Sequence, residues 1–284
     1  MRARAAPWTI LELLHPVPSL LTTAAAVAFA MIFGLSLSDP RVSWIIAIML
    51  LVQFSISALN DWADADLDAH AGRRRPIPLG LVPAYAALIV AIACAAAALL
   101  GSLVAGFGLV ALLLVALGLA SGWAYDLRLK RTPLSVLPFA LAFPLLPLWI
   151  AVVAGRSLGS VTLILLGGIP LAAAIHLADA IPDRDADRGA GVHSLAVALG
   201  RPAAELVAAG LLLVGTLVSI VVLLGHASSS ALSLLIVALA VAWFVLSLGT
   251  RNAGGRSAPL VGKWVVIGTA ALAAVPLVVT ASGR

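Results

Sequence analysis

Apolar residues in this chain come in long blocks rather than in alternation. The run VSWIIAIMLLVQFSISAL, residues 42–59, carries no charge over about 18 positions, the length of a helix that crosses hydrocarbon. Between polar breaks the pattern predicts nine such spans, at about 19–37, 43–59, 82–100, 103–122, 134–154, 161–178, 203–224, 231–249 and 264–282. The third and fourth run together and are split by Gly101 and Ser102. Ahead of the first, PWTILELLH (7–15) reads as a short interfacial helix, with Pro16 and Pro18 re-aiming the chain into the bilayer. A signal peptide has one short apolar core and a cleavage site, whereas this first run is followed by many others, so the N-terminus is expected to be retained. The expected fold is an all-α membrane protein of about nine transmembrane helices.

Composition agrees: the 284 residues are 63% hydrophobic and 10% charged, with a mean hydropathy of +1.15. One cysteine, Cys94, sits inside an apolar span, forms no internal disulfide and says nothing about redox compartment. The net charge of +5 does not point to nucleic acid, because the basic residues are scattered singly or in threes between apolar runs. Their placement reports orientation instead. With nine crossings, fourteen of the seventeen Lys and Arg fall on one side, and Arg41, Arg156 and Arg284 on the other. The positive-inside rule puts the loaded loops in the cytoplasm of a multi-pass protein of the cell membrane.

Nine of the twelve acidic residues fall in those same loops. In NDWADADLD (60–68), Asn60, Asp64 and Asp68 recur every four residues if the second helix continues past its span, with Asp61 beside them and Asp66 off the stripe. In DAIPDRDADRGAG (179–191), Asp179, Asp183 and Asp187 repeat the spacing with Asp185 off it, although Pro182 interrupts that segment. Like charges stacked at this spacing near low dielectric repel and call for a cation. Helix capping in a solvated loop is the bland alternative for either cluster alone. Hard oxygen donors, with His70 and His176 out of register and no thiolate, suit Mg²⁺ rather than zinc or iron. Such a Mg²⁺ keeps positions open for phosphate oxygens, and Arg75 and Lys130 are the cations placed to clamp a phosphate from the other side, with Arg131 beside them.

At these residues the chain resembles the UbiA superfamily of intramembrane prenyltransferases. Asn60, Asp61, Asp64 and Asp68 match its NDxxDxxxD signature, and Arg75, Pro76, Pro78 and Gly80 the RPxPxG that follows. Asp183, Asp187, Gly191 and HSLAVALG resemble its second signature, with Ser194 where Thr is common, and YDLRLKR (125–131) resembles its Tyr and Lys-Arg segment. The resemblance covers nearly the whole chain and implies one prenyltransferase domain over 1–284, its helices around a central cavity and its aspartates in cytoplasmic caps. It implies transfer of an isoprenoid from a prenyl diphosphate to a hydrophobic acceptor, aromatic or lipid. It also implies metal ligation by Asp61, Asp64, Asp68, Asp179, Asp183 and Asp187, diphosphate binding by Asn60, Arg75, Lys130 and Arg131, and catalytic roles for Asp64, Asp183, Lys130 and Tyr125. The short stretch between Asp68 and Arg75 looks more like the branch holding chlorophyll synthases and archaeal-type glycerolipid prenyltransferases, while Leu79 replaces a frequent Ser.

Other readings fit less well. CDP-alcohol phosphotransferases want Gly where Ala65 follows Asp64, and a cation transporter would place its carboxylates near the bilayer midplane. The closest alternative is a membrane terpene cyclase on the same fold, which ionises a prenyl diphosphate and lets the cation attack itself. Folding a cation into rings usually calls for aromatic faces along its path, and the aromatics available are Trp62, Trp123, Tyr125, Phe139, Phe143 and Trp149.

Overall fold

The structure is a computed structural model that describes residues 11–70, 72–156, 158–224 and 258–281, and among these the chain is helical with no strand. The long helices are α1 (Pro16–Ile32), α2 (Pro40–His70), α3 (Ala84–Val104), α4 (Gly108–Leu127), α5 (Val136–Val153) and α6 (Leu158–Ala180). The short α7 (Arg184–Gly189) and α8 (Leu195–Leu199) follow, then α9 (Arg201–Leu224) and α10 (Ala258–Ala281). Six of the described helices are long and apolar enough to cross a membrane, and the apolar stretches Pro16–Ile32 and Ile164–Ala180 are shorter. Eight of the nine expected spans coincide with a long helix; the ninth, 231–249, lies outside the described residues, as does part of the expected interfacial helix. The protein is an integral membrane protein.

One expected boundary is wrong. The chain does not break at Gly101-Ser102: α3 runs on to Val104, and the turn comes at Gly106 and Gly108, both at positive φ (69° and 85°). Gly101 lies within α3 facing Ile48, where a Cβ would make an ordinary contact with Ile48 Cγ1 at 3.4 Å.

Contacts divide the chain into two compact units, Met1–Leu127 with Val152–Ala154, and Arg128–Ala151 with Gly155–Arg284. In the first, α2 packs against α1, α3 and α4. Small residues bring the backbones close: a Cβ on Gly122 would lie 2.5 Å from Ile56 Cδ1, so any larger residue there would force the Ile56 side chain to move. Buried Ser55 joins three helices, its hydroxyl donating to the Ala91 carbonyl (2.8 Å) and accepting from Trp123 Nε1 (3.0 Å). These bonds satisfy polar atoms within an apolar bundle and fix α2 a little under two turns before its carboxylates begin.

In the second unit α6 packs against α9 and α10 around Leu171, Ala174, Leu212, Ala270, Ala273 and Leu277. Gly215 lets the helices approach closely there, because a Cβ would meet the Leu171 side chain at 2.6 Å and Gly167 O at 3.1 Å. Ser135 Oγ accepts from the Leu195 amide (3.3 Å) and lies 3.2 Å from His176 Nε2, whose ring packs on Phe139. That network gives His176 a structural role in the packing of this unit.

Candidate active site

α2 is one unbroken helix of 31 residues. At 1.5 Å per residue it is ~46 Å long, against ~30 Å of hydrocarbon, so roughly its last ten residues stand beyond the apolar slab. The first aspartate cluster occupies that extension, with Asn60, Asp61, Asp64 and Asp68 within two turns of one another on a single helix. Asp61 and Asp68 are buried, Asn60 and Asp64 half-buried, and Asp66 exposed.

The helix stops by a glycine cap: Gly72, at φ 64°, donates its N–H to Ala69 O (3.2 Å), and the Arg73 N–H reaches Asp68 O (2.9 Å). The cap brings the Arg73 side chain back, and its Nη1 donates to Asp68 Oδ1 at 3.1 Å. The RPIPLG segment then coils tightly. Pro76 O accepts from the Leu81 and Val82 amides, Arg75 O accepts from the Leu79 amide, and Gly80 takes φ 69°. This coil turns Arg75 toward Asp61, with one side chain between them that the sequence reading missed. His15 Nε2 lies 2.9 Å from Asp61 Oδ1 and 3.3 Å from Arg75 Nη1. Asp61 is 2% exposed, and its Oδ2 is buried with no hydrogen-bond partner among the described residues. Tyr125, half-buried, and Asp126, buried, lie in the last turns of α4 in the same unit. Asp126 was counted only as a loop charge in the sequence.

The second cluster departs from one continuous stripe. Pro182 lacks the N–H needed to continue α6, which ends at Ala180; a turn follows and α7 restarts at Arg184. Asp179 therefore belongs to the end of α6, and Asp183 and Asp187 to the next segment, where the Asp187 amide donates to Asp183 O (2.9 Å). Asp183 stands at the N-cap of α7 but its side chain makes no capping bond, so capping does not account for that carboxylate. Asp179 pairs with Lys263 of α10, a partner invisible in the sequence reading, which placed Lys263 in a loop. Exposed Asp185 pairs with Arg184, whose guanidinium holds that carboxyl below the usual carboxylate range. Lys130 and Arg131 sit in a 3₁₀ turn, Leu129–Arg131, after which Thr132 Oγ1 caps the Leu134 amide (3.2 Å). The Arg131 carbonyl accepts from the His193 amide (3.1 Å), tying this turn to the loop after the second cluster. Gly191 supplies the positive φ (73°) that loop needs.

Among the described residues no three His, Cys, Asp or Glu side chains converge into a ready-made metal cage. Mg²⁺ does not require one, since it is ordinarily held by one or two carboxylates with waters and substrate phosphates completing six oxygens. A buried carboxylate oxygen with no partner among the described residues, on a helix carrying further carboxylates, fits that donor set.

Comparison with known proteins bears on family and fold. The UbiA prenyltransferase family matches residues 19–267. The chain is 29% identical over 230 residues to a 4-hydroxybenzoate octaprenyltransferase of Vibrio cholerae serotype O1, covering 80% of this chain and 79% of that one. A UbiA homolog from Archaeoglobus fulgidus, solved bound to DMAPP and Mg²⁺, superposes with a TM-score of 0.73 at 20% identity over 94% of this chain and 99% of that one. A digeranylgeranylglyceryl phosphate synthase superposes with a TM-score of 0.78 at 17% identity, covering 97% and 98%.

Proposed function

We infer the reaction from the premise that the chain belongs to the UbiA prenyltransferase family and is an intramembrane prenyltransferase: it transfers an isoprenoid chain from a prenyl diphosphate to a hydrophobic acceptor, aromatic or lipid, in a Mg²⁺-dependent step. The observation that carries this reading is the carboxylate run on α2 beyond the hydrocarbon, with Asp61 Oδ2 buried and without a hydrogen-bond partner among the described residues, and Arg75 turned toward it.

In the transfer, the allylic C–O bond breaks heterolytically, diphosphate leaves with the electron pair, and the acceptor's nucleophilic atom bonds to the prenyl carbon and then sheds its proton. Mg²⁺, when bound, neutralises the diphosphate and lowers the cost of that departure. Asp61, Asp64 and Asp68 in the first unit, and separately Asp179, Asp183 and Asp187 in the second, are assigned as carboxylates available to ligate Mg²⁺, one or two from a cluster per ion. Asn60, Arg75, Lys130 and Arg131 are assigned to the diphosphate oxygens, where guanidinium and ammonium donors stabilise developing negative charge. Catalytic roles are assigned to Tyr125 and Asp64 in the first unit and to Lys130 and Asp183 in the second. The charge bias of the loops puts this chemistry at the cytoplasmic face, where a soluble diphosphate head meets the protein while its lipid tail stays in the bilayer.

The purified protein in liposomes, given radiolabelled geranylgeranyl diphosphate and a panel of acceptors, is expected to form a labelled adduct with Mg²⁺ or Mn²⁺, to lose it in EDTA and not to recover it with Zn²⁺. Full activity in the chelator would remove the metal from the reading.

A further inference from the structure

Asp61 and Arg75 are opposite charges brought to one place, yet they form no ion pair with each other; the His15 ring stands between them. A carboxylate only accepts, so the 2.9 Å contact requires the proton on Nε2, which donates to Asp61 Oδ1. That nitrogen then has no lone pair for Arg75, and a guanidinium has only donors, so the 3.3 Å approach of Nη1 satisfies neither group. Among the described residues Arg75 pairs with no carboxylate, although one imidazole nitrogen separates it from Asp61.

The backbone holds His15 there at a cost. It is the N-cap of α1, at φ 41°, ψ 67°, and is the one described non-glycine residue with positive φ. Left-handed backbone is uncommon for any non-glycine residue, although histidine takes it more readily than most, and the proline that follows already narrows the choices. Ser19 pins the segment from inside the bilayer end: its amide reaches His15 O (3.2 Å) and its hydroxyl donates to Leu14 O (2.8 Å). Strain of this kind persists where the surroundings demand a side chain in one place.

We propose that His15 is a positioning residue that acts through Asp61: its N–H fixes Oδ1, leaves the buried Oδ2 to face the cation, and keeps Arg75 from closing onto the carboxylate, so that ligand and diphosphate clamp stay separate. This rests on the reading of Asp61 as a metal ligand. Removing His15 lets Arg75 pair with Asp61 and consumes both groups at once.

The test is Mn²⁺ binding to the full detergent-solubilised chain, read from the free-ion EPR signal with no substrate present. His15→Gly relieves the backbone but removes the donor, and is expected to weaken Mn²⁺ binding by about ten- to a hundred-fold, the range typical of a lost outer-shell partner. His15→Asn tolerates left-handed backbone and offers an N–H, and is expected to bind within about three-fold of wild type. His15→Gly combined with Arg75→Gln is expected to recover most of the loss, because the competing guanidinium is gone. Unchanged Mn²⁺ binding in His15→Gly, while Asp61→Asn abolishes it, overturns the role of His15 and leaves the metal site intact. Failure of the double variant to recover overturns the separation of Asp61 from Arg75. Unchanged binding in Asp61→Asn overturns the metal-ligand reading itself, and this proposal with it.

Discussion

Asp61→Asn separates a carboxylate kept for folding from one kept for chemistry. The side chain is 2% exposed; one oxygen accepts from His15 at 2.9 Å and the other has no partner among the described residues. The amide has nearly the same shape. Replacing the carboxylate changes a charge-assisted bond, worth about 1.5–3 kcal/mol, into a neutral one of about 1 kcal/mol, a loss of roughly 1 kcal/mol. Against this, an unpartnered charged oxygen becomes an unpartnered neutral amide, whose burial costs only about 1–3 kcal/mol where the ion's costs several. The balance favours the variant by about 1 kcal/mol, or a Tm higher by roughly 2–4 °C for a chain of this order of size. Prenyl transfer should nevertheless fall by roughly a hundred- to a thousand-fold, as when one group that stabilises transition-state charge is lost. Thermal unfolding in detergent and initial rates with radiolabelled prenyl diphosphate, measured on the same preparation, give both numbers. A Tm several degrees lower, with activity lost only in proportion to unfolded protein, would make Asp61 a structural residue and refute the reasoning.

Two further outcomes follow from the same geometry. Asp64→Ala and Asp183→Ala are expected to abolish turnover while the protein remains inserted and folded, since neither carboxylate is fully buried and Asp183 makes no capping bond; substantial residual turnover in either would show that these are not ligands. Asp66→Asn and Asp185→Asn should stay within about three-fold of wild-type rate, because exposed surface changes away from a site are usually nearly neutral. Equal damage from them would mean the helical register is misassigned.

Much of this protein is written in block hydrophobicity. The continuation of α2 through Asp68 follows from the absence of Gly or Pro between Pro40 and His70, and the stripe follows from helical period. Local punctuation was harder. Gly101 reads as a break in sequence but is a contact against Ile48, and only the positive φ of Gly106 and Gly108 shows where the turn is. Pro182 divides the second cluster, so equal spacing in sequence does not become one face in space. His15 and Lys263 were illegible for another reason. Each meets its aspartate through long-range packing, His15 from 46 positions before Asp61, and no local period encodes such a meeting. The one local hint was a histidine wedged before Pro16 at the start of a span.

The central claim is that this chain joins two molecules. The most direct measurement is product analysis by the purified protein in liposomes with Mg²⁺ and labelled prenyl diphosphate, with and without an acceptor panel spanning phenolic acids and glycerol phospholipid precursors. Label is expected to appear in an adduct only when an acceptor is supplied, with diphosphate released in equal amount. Several aromatics that a cyclising cation would need are already committed to packing: Trp123 donates to Ser55, Phe139 packs against Phe143 and His176, and Trp149 is buried. A hydrocarbon or terpene alcohol formed from the diphosphate alone, faster than any adduct, would contradict the transferase account.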